Sequence, residues 1–268
     1  MEYRELGGTG EMVSEVGLGT WKYRGGPEPL RKGIELGANL IDTAEMYRTE
    51  DAVGEAIRGR RGLVFLATKV LGSHLRHDAV LQAAENSLRL LDDDSIDLYQ
   101  IHSPNSGVPI AETMRAMEEL VDRGIVRYIG VSNFSVSQLR EARQAMTKYP
   151  VVSNQVLYNL KRRQIERDLI PYCMENNITV IAYTPLADGS LSGRSRFRPD
   201  KGGAVLEQMA MDVGKTPAQV ALNWCLSRPN VIVIPKTNSV ARTVENCGAS
   251  GWSLTPGQVA ALDEAYPL

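Results

Sequence analysis

Ile96-Asp97-Leu98-Tyr99-Gln100-Ile101-His102 is a short, strand-like run that ends on an ionisable side chain. Runs of this kind recur about eight times along the chain. They are Val16–Gly19, Asn39–Asp42, Val64–Thr68, Ile96–His102, Val126–Ser132, Val151–Val156, Thr179–Tyr183 and Val231–Ile234. A short hairpin precedes them, Tyr3–Leu6 and Met12–Val16 flanking a Gly7-Gly8-Thr9-Gly10 turn.

Helical patterns fill the intervals. Ala79, Ala83, Leu88 and Leu91 fit one helix face, and Ile110, Met114, Met117, Leu120 and Val121 fit another. Glu207, Met209 and Val213, then Pro217 to Leu226, suggest a helix pair before the last strand. Thr255 followed by Pro256 reads as an N-cap with Pro at the first helical position, opening a final helix through Ala265. Strict alternation of strand and helix argues for a parallel α/β sheet. An open, doubly wound sheet also alternates, but the number eight favours closure into a (β/α)8 TIM barrel. A length of 268 residues suits one such barrel. No linker, repeat or low-complexity tract divides it, so residues 1–268 are read as a single domain. Leu186–Gly203 is the longest irregular stretch, of the length often found in functional lids.

Composition removes several function classes. The net charge of −2 gives no one-signed field for nucleic acid or an anionic membrane. No apolar run approaches the roughly 18 residues of a membrane span, and the polar, Gly-rich start lacks the core of a signal peptide. The cytoplasm is the default location. Cys173, Cys225 and Cys247 form no CxxC pair, so no metal or dithiol site is expected and buried reduced thiols are the plain reading.

Chemistry in a barrel sits at the carboxyl ends of the strands. Those ends carry Asp42, Lys69, His102, Ser132-Asn133, Gln155, Tyr183-Thr184 and Pro235-Lys236. Singly each has a bland explanation: Asp42-Thr43 as a helix cap, Lys69 as a solvated strand end, His102 or Tyr47 as a structural ring. Their arrival at one rim is what the bland readings do not explain. A tyrosine, with pKa near 10, is a poor acid at neutral pH. An adjacent ammonium favours its phenolate, and a carboxylate keeps that ammonium charged and aimed. With a neutral imidazole beside the carbonyl oxygen, such a set serves a developing alkoxide. The hydride has to come from a cofactor.

These residues also resemble a known family. Asp42-Thr43-Ala44-Glu45-Met46-Tyr47, with Glu50 three residues on, resembles the D-T-A-x-x-Y-x-x-E signature of the aldo-keto reductases. Ile96 to Pro104, Gly130-Val131-Ser132-Asn133-Phe134, Asn154-Gln155-Val156 and Ala182-Tyr183-Thr184-Pro185-Leu186 resemble its later strand motifs. The resemblance runs from Tyr3 to the last helix. It implies a barrel whose N-terminal hairpin closes the bottom, and a catalytic set of Asp42, Tyr47, Lys69 and His102. Tyr47 would donate the proton, and Lys69 with Asp42 would lower its pKa. The cofactor would be NADP(H), with Tyr183 on the nicotinamide ring and Ser132, Asn133 and Gln155 on its carboxamide. Gly19, Thr20, Asp42, Thr184, Pro185, Leu186, Ile234, Pro235 and Thr237 would line its path. Ile234-Pro235-Lys236-Thr237 with Arg242, Glu245 and Asn246 resembles the element that grips the 2′-phosphate and adenine. Charge-assisted bonds from Lys236 and Arg242 would reward a phosphate that NADH lacks. No GxGxxG occurs, which counts against a Rossmann dehydrogenase.

The expectation is an NADPH-dependent reductase of aldehydes or ketones, monomeric, acting on a small-molecule carbonyl substrate. Trp21 is the foremost substrate contact, with Tyr47 and His102; Tyr23 is a second rim aromatic, and Trp224 and Trp252 are better placed in the core. Two rival readings stand beside it: an NADPH-sensing regulatory subunit with little turnover, and a barrel lyase using Lys69 as a Schiff-base nucleophile. Nothing in Asn105–Pro109 or Gly189–Gly203 names a substrate.

Overall fold

An antiparallel hairpin of β1 (Tyr3–Glu5) and β2 (Met12–Ser14), with Tyr3 opposite Ser14, begins the chain in this computed structural model, which describes residues 1–193 and 201–268. Eight parallel strands follow: β3 (Leu18–Gly19), β4 (Leu40–Asp42), β5 (Phe65–Val70), β6 (Ile96–Ile101), β7 (Val126–Ser132), β8 (Val151–Leu157), β9 (Thr179–Tyr183) and β10 (Val231–Val233). Each lies beside its neighbour in the chain. The sheet closes where Val16 bridges Val233 and Gly19 bridges Lys236. Gly17 N–H donates to the Val233 carbonyl at 2.8 Å, and Val233 N–H to that of Glu15 at 2.9 Å. Closure leaves no free sheet edge there.

The helices are α1 (Pro27–Glu35), α2 (Glu50–Ile57), α3 (His77–Leu91), α4 (Ile110–Asp122), α5 (Val136–Ala145), α6 (Leu169–Glu175), α7 (Lys201–Asp212), α8 (Pro217–Leu226), α9 (Val240–Cys247) and α10 (Pro256–Ala265). Among the described residues three start with reciprocal capping boxes: Ser135 with Gln138, Thr216 with Gln219, and Thr255 with Gln258. The buried face of α3 is Val80, Ala83, Ala84, Ser87 and Leu91, so Ala79 and Leu88 flank it rather than lead it. Helix α7 starts at Lys201, inside the stretch read as irregular; residues 194–200 of that stretch lie outside the described residues. Among the described residues no helix is long and apolar enough to cross a membrane.

The lumen divides by polarity. Leu40, Phe65, Ala67, Leu98, Val152, Ile181 and Ile232 fill one end together with Leu6 and Val13. Gly7 N–H donates to Thr179 Oγ1 and Ser14 N–H to Asn39 Oδ1, so the hairpin caps the end where strands begin. A strand sends every second side chain to the same face. On β5, Phe65 and Ala67 of the apolar plug are therefore followed by Lys69, and on β4 Leu40 is followed by Asp42. The period that builds the plug also delivers the charged groups to the opposite end.

Gly54, inside α2, faces the last turn of α3, and a methyl there would collide with the Leu91 carbonyl. An interior helical glycine replaced by alanine ordinarily gains about 1 kcal/mol. Here overpacking against backbone, about 1–3 kcal/mol, opposes that gain. Gly54→Ala is expected to lower the thermal midpoint by a few degrees in a denaturation scan; a rise would show that the two helices are not in such close contact.

Candidate active site

Lys69 arrives from the inner face of β5, and Asp42 from the end of β4. Tyr47 lies on a 3-10 turn, Glu45–Tyr47, just after β4, and His102 immediately follows β6. The Lys69 ammonium is wholly buried, and each of its three N–H groups has an acceptor. These are Asp42 Oδ1 at 2.7 Å, the Thr43 carbonyl at 2.7 Å and the Tyr47 hydroxyl at 3.3 Å. The other Asp42 oxygen accepts from Gln155 Nε2 at 2.7 Å and Gln100 Nε2 at 3.4 Å. Asp42 caps no helix; it is the counter-ion of Lys69. Burial pulls the ammonium's pKa down, but Asp42 and then Tyr47 outweigh it, and the net shift is upward. Lys69 stays protonated and offers no lone pair to a carbonyl, so a Schiff-base role has no support.

Burial pushes the Tyr47 phenol up, the Lys69 charge pulls it back, and the Asp42 charge pushes it up again; the net shift is upward. The expectation that Lys69 and Asp42 jointly lower this pKa is therefore corrected for the ligand-free protein. Lys69 acts as expected, Asp42 acts in the opposite direction, and desolvation is larger than either. At neutral pH Tyr47 is a phenol that keeps its proton. The His102 ring meets that of Tyr47 edge-on, with centroids 5.4 Å apart, and the Trp21 ring also meets it edge-on, at 4.9 Å. Burial, then the nearby Lys69 charge, depresses the His102 pKa from 6.5 to about 4, so the ring is neutral at pH 7. Its Nδ1 is buried without a partner. A buried N–H lacking an acceptor is rarer than a bare nitrogen, which assigns the hydrogen to Nε2.

These groups stand at one end of a groove of about 510 Å³. Every residue expected to contact the cofactor lines it, from Gly19 and Thr20 through Gln155 and Tyr183 to Arg242, Glu245 and Asn246. Lys69 lies beneath the lining. Several of the polar groups already bond to one another. Ser132 Oγ donates to the Gln155 carbonyl at 2.8 Å, Asn133 Nδ2 to the His102 carbonyl at 3.0 Å, and the Tyr183 hydroxyl to Asn133 Oδ1 at 3.0 Å. Thr20 directs its hydroxyl to the Asp42 carbonyl rather than into the groove. Asn133 and Thr184 take φ of 63° and 52° at the strand ends. For β-branched Thr184 this is strained, and Asn159 Nδ2 holds its carbonyl at 2.9 Å.

Lys22, Lys236 and Arg242 bring positive charge to the groove, with Arg24 near Lys236. Burial, then the charges of Arg24, Arg242 and Lys22, depress the pKa of Lys236. Lys22, Met46, Asp188, Gly189, Ser192 and Ala218 also line the groove and were not singled out from the sequence. Lys22 directly follows Trp21 and was within reach of that reading; Asp188, Gly189 and Ser192 fall in the long stretch Leu186–Gly203, and Met46 and Ala218 sit in a turn and at a helix start without a distinctive pattern. Tyr23 is buried and absent from the groove, Trp224 is fully buried, and Trp252 lies half-buried elsewhere, while Trp21 is 44% exposed at the rim.

Comparison with known proteins agrees with this architecture. The model of the aldo/keto reductase family matches residues 15–267, and the chain belongs to that family. It is 40% identical to methylglyoxal reductase YeaE of Escherichia coli (strain K12), over 94% of this chain and 90% of that protein. It superposes on the thermostable aldo-keto reductase Tm1743, solved with the inhibitor epalrestat, with a TM-score of 0.92 and 40% identity over 99% of this chain and all of that one. An aldo/keto reductase from Klebsiella pneumoniae in complex with NADP and acetate is 38% identical, with a TM-score of 0.87, covering 99% and 95% of the two chains.

The depressed His102 pKa has a consequence for stability. Between pH 6.5 and about 4 the unfolded chain holds this proton and the folded one does not. The stabilisation is complete above pH 6.5 and is lost as pH falls through about 4. Urea midpoints should therefore decline across that window, and His102→Gln should flatten the decline; equal slopes would show that His102 is not held neutral by the fold.

Proposed function

We propose that this protein is an NADPH-dependent reductase of small aldehydes or ketones in which Tyr47 supplies the proton. The reading rests chiefly on one observation: the Tyr47 hydroxyl lies 3.3 Å from an ammonium that Asp42 holds charged, beside a neutral His102. A carbonyl oxygen placed between Tyr47 and His102 would accept two hydrogen bonds, which strengthen as negative charge develops on it. Tyr47 then gives up its proton, and the Lys69 ammonium stabilises the phenolate left behind. Asp42 and its two amide donors keep that ammonium aimed.

The groove suits a phosphorylated dinucleotide. Lys236 and Arg242, near Lys22 and Arg24, supply cations for phosphate, while Tyr183 offers a ring face beside the reaction centre. Bound NADPH would supply the hydride, which no side chain provides. Ser132, Asn133 and Gln155 would hold its carboxamide, Ser132 and Asn133 by exchanging side-chain bonds they now make within the protein. The NADP-bound Klebsiella relative and the methylglyoxal reductase of E. coli support the cofactor and a small carbonyl as substrate. The convergence of Asp42, Tyr47, Lys69 and His102 supports turnover over a purely sensing role. The reading further takes the protein as a single-domain, cytoplasmic monomer that binds neither nucleic acid nor membrane, in keeping with its net charge of −2 and three free, buried cysteines.

Tyr47→Phe removes the transferable proton and leaves the groove's shape. NADPH consumption with a carbonyl panel should fall to background, while NADPH binding by fluorescence titration stays near the wild-type value; retained turnover would mean another group is the acid. Lys236→Ala should weaken NADPH binding by roughly tenfold, about 1.4 kcal/mol, and leave NADH binding almost unchanged. Equal losses for the two dinucleotides would remove the phosphate contact from the account.

A further inference from the structure

The turn that carries Tyr47 is anchored at its start by the Glu45 carboxylate, which accepts from Leu71 N–H at 2.8 Å and lies 2.7 Å from His74 Nδ1, but its backbone has few bonds. Its backbone bonds are Tyr47 N–H to the Ala44 carbonyl at 2.9 Å and a long one from Arg48 N–H to the Glu45 carbonyl at 3.4 Å. Arg48 is in the left-handed region, with φ of 54°. Yet the Tyr47 phenol has to sit within bonding distance of an ammonium fixed on a different strand.

Three buried hydroxyls lie behind this turn. Thr20 Oγ1 is 2.9 Å from the Asp42 carbonyl, Thr49 Oγ1 is 3.1 Å from Thr20 Oγ1, and Thr43 Oγ1 is 3.0 Å from Thr49 Oγ1. All three residues are at most 6% exposed. A carbonyl can only accept, so Thr20 donates to Asp42. The Thr20 hydrogen is then committed, so Thr49 donates to Thr20, and by the same logic Thr43 donates to Thr49. The order Thr43, Thr49, Thr20, Asp42 carbonyl is thus fixed in one direction. Thr43 and Thr49 flank the Tyr47 turn on either side. The Thr43 carbonyl also accepts from Lys69, and the chain ends on the backbone of Lys69's counter-ion. The next residue, Glu50, is tied to β5 by the Thr68 hydroxyl at 2.6 Å. These bonds therefore link the far side of the turn that bears the phenol to the acceptors of the ammonium, while Glu45 anchors its start.

We propose that Thr49 is a positioning residue: its hydroxyl, linking Thr43 to Thr20, sets the placement of the Tyr47 phenol against the Lys69 ammonium. The proposal rests on Tyr47 being the proton donor. Thr49 lies behind the turn and is not among the groove-lining residues, so its effect passes through Tyr47.

Thr49→Val keeps the shape and removes the hydroxyl; Thr49→Ser keeps the hydroxyl. Two readouts are needed. One is kcat and KM with NADPH and an aldehyde. The other is the titration of the Tyr47 phenol in the ligand-free protein, obtained by difference from the corresponding Tyr47→Phe protein. Thr49→Val is expected to lower kcat roughly ten- to hundredfold, as misplacement of a catalytic group does, with KM for NADPH within about twofold. Its phenol midpoint should move upward as the phenol loses the pull of Lys69. Thr49→Ser should restore kcat to within about threefold of wild type and bring the midpoint back. Wild-type kcat and midpoint in Thr49→Val overturn the proposal, as does a serine variant as impaired as the valine one. If Thr49→Val does not fold, Thr43→Val carries the test, because removing the first donor strands no buried O–H. A smaller change in the same directions is then expected, and no change in either readout overturns the proposal. Should the wild-type protein reduce no carbonyl, the functional reading fails by itself, and the phenol titration still decides whether the hydroxyl chain positions Tyr47.

Discussion

A charged lysine in the lumen of a closed barrel is the constraint around which the rest of the site is arranged. Taking an ammonium out of water is costly, and a buried pair is tolerated only where geometry and hydrogen bonding are complete. Lys69 meets that condition with three acceptors, and Asp42 meets it with an ammonium and two amides. The pair does little for stability by ordinary standards. In the proposed reaction its value is chemical: it fixes a positive charge beneath a phenol, where a phenolate would have to be tolerated for an instant. The imidazole alongside is kept neutral by the same burial and the same charge.

The barrel explains how such a pair is assembled. Inward positions alternate along each strand, so an apolar plug at the hairpin end and a polar layer at the other end arise from one period-two pattern. Phe65, Ala67 and Lys69 show this on a single strand. Packing at the plug and charge at the rim are two ends of the same lumen.

Much of this was legible in the sequence. Eight runs alternating with helical patterns specified the fold, and polar residues at the ends of those runs pointed to one rim. The strand ends were read to within a residue or two. Other features were hidden because they depend on which groups meet across the barrel. Nothing along the chain tells that Gln155 gives an N–H to Asp42, or that Thr20, Thr43 and Thr49 line up behind Tyr47. Nor does spacing reveal the sign of a balance: the sequence shows a phenol, an ammonium and a carboxylate, but only their depths show that desolvation exceeds the pull of Lys69. Tyr23 was misjudged for the same reason, since an aromatic two residues past the rim turns inward as readily as outward.

The claim on which everything else rests is that the Lys69 charge acts directly on the Tyr47 phenol. It is tested most directly by following the Tyr47 ring carbon signal by NMR against pH in the ligand-free protein, for the wild type and for Lys69→Met. The account predicts that the phenol of the lysine-free protein titrates at higher pH than that of the wild type. An unchanged midpoint, or one that moves down, would contradict it.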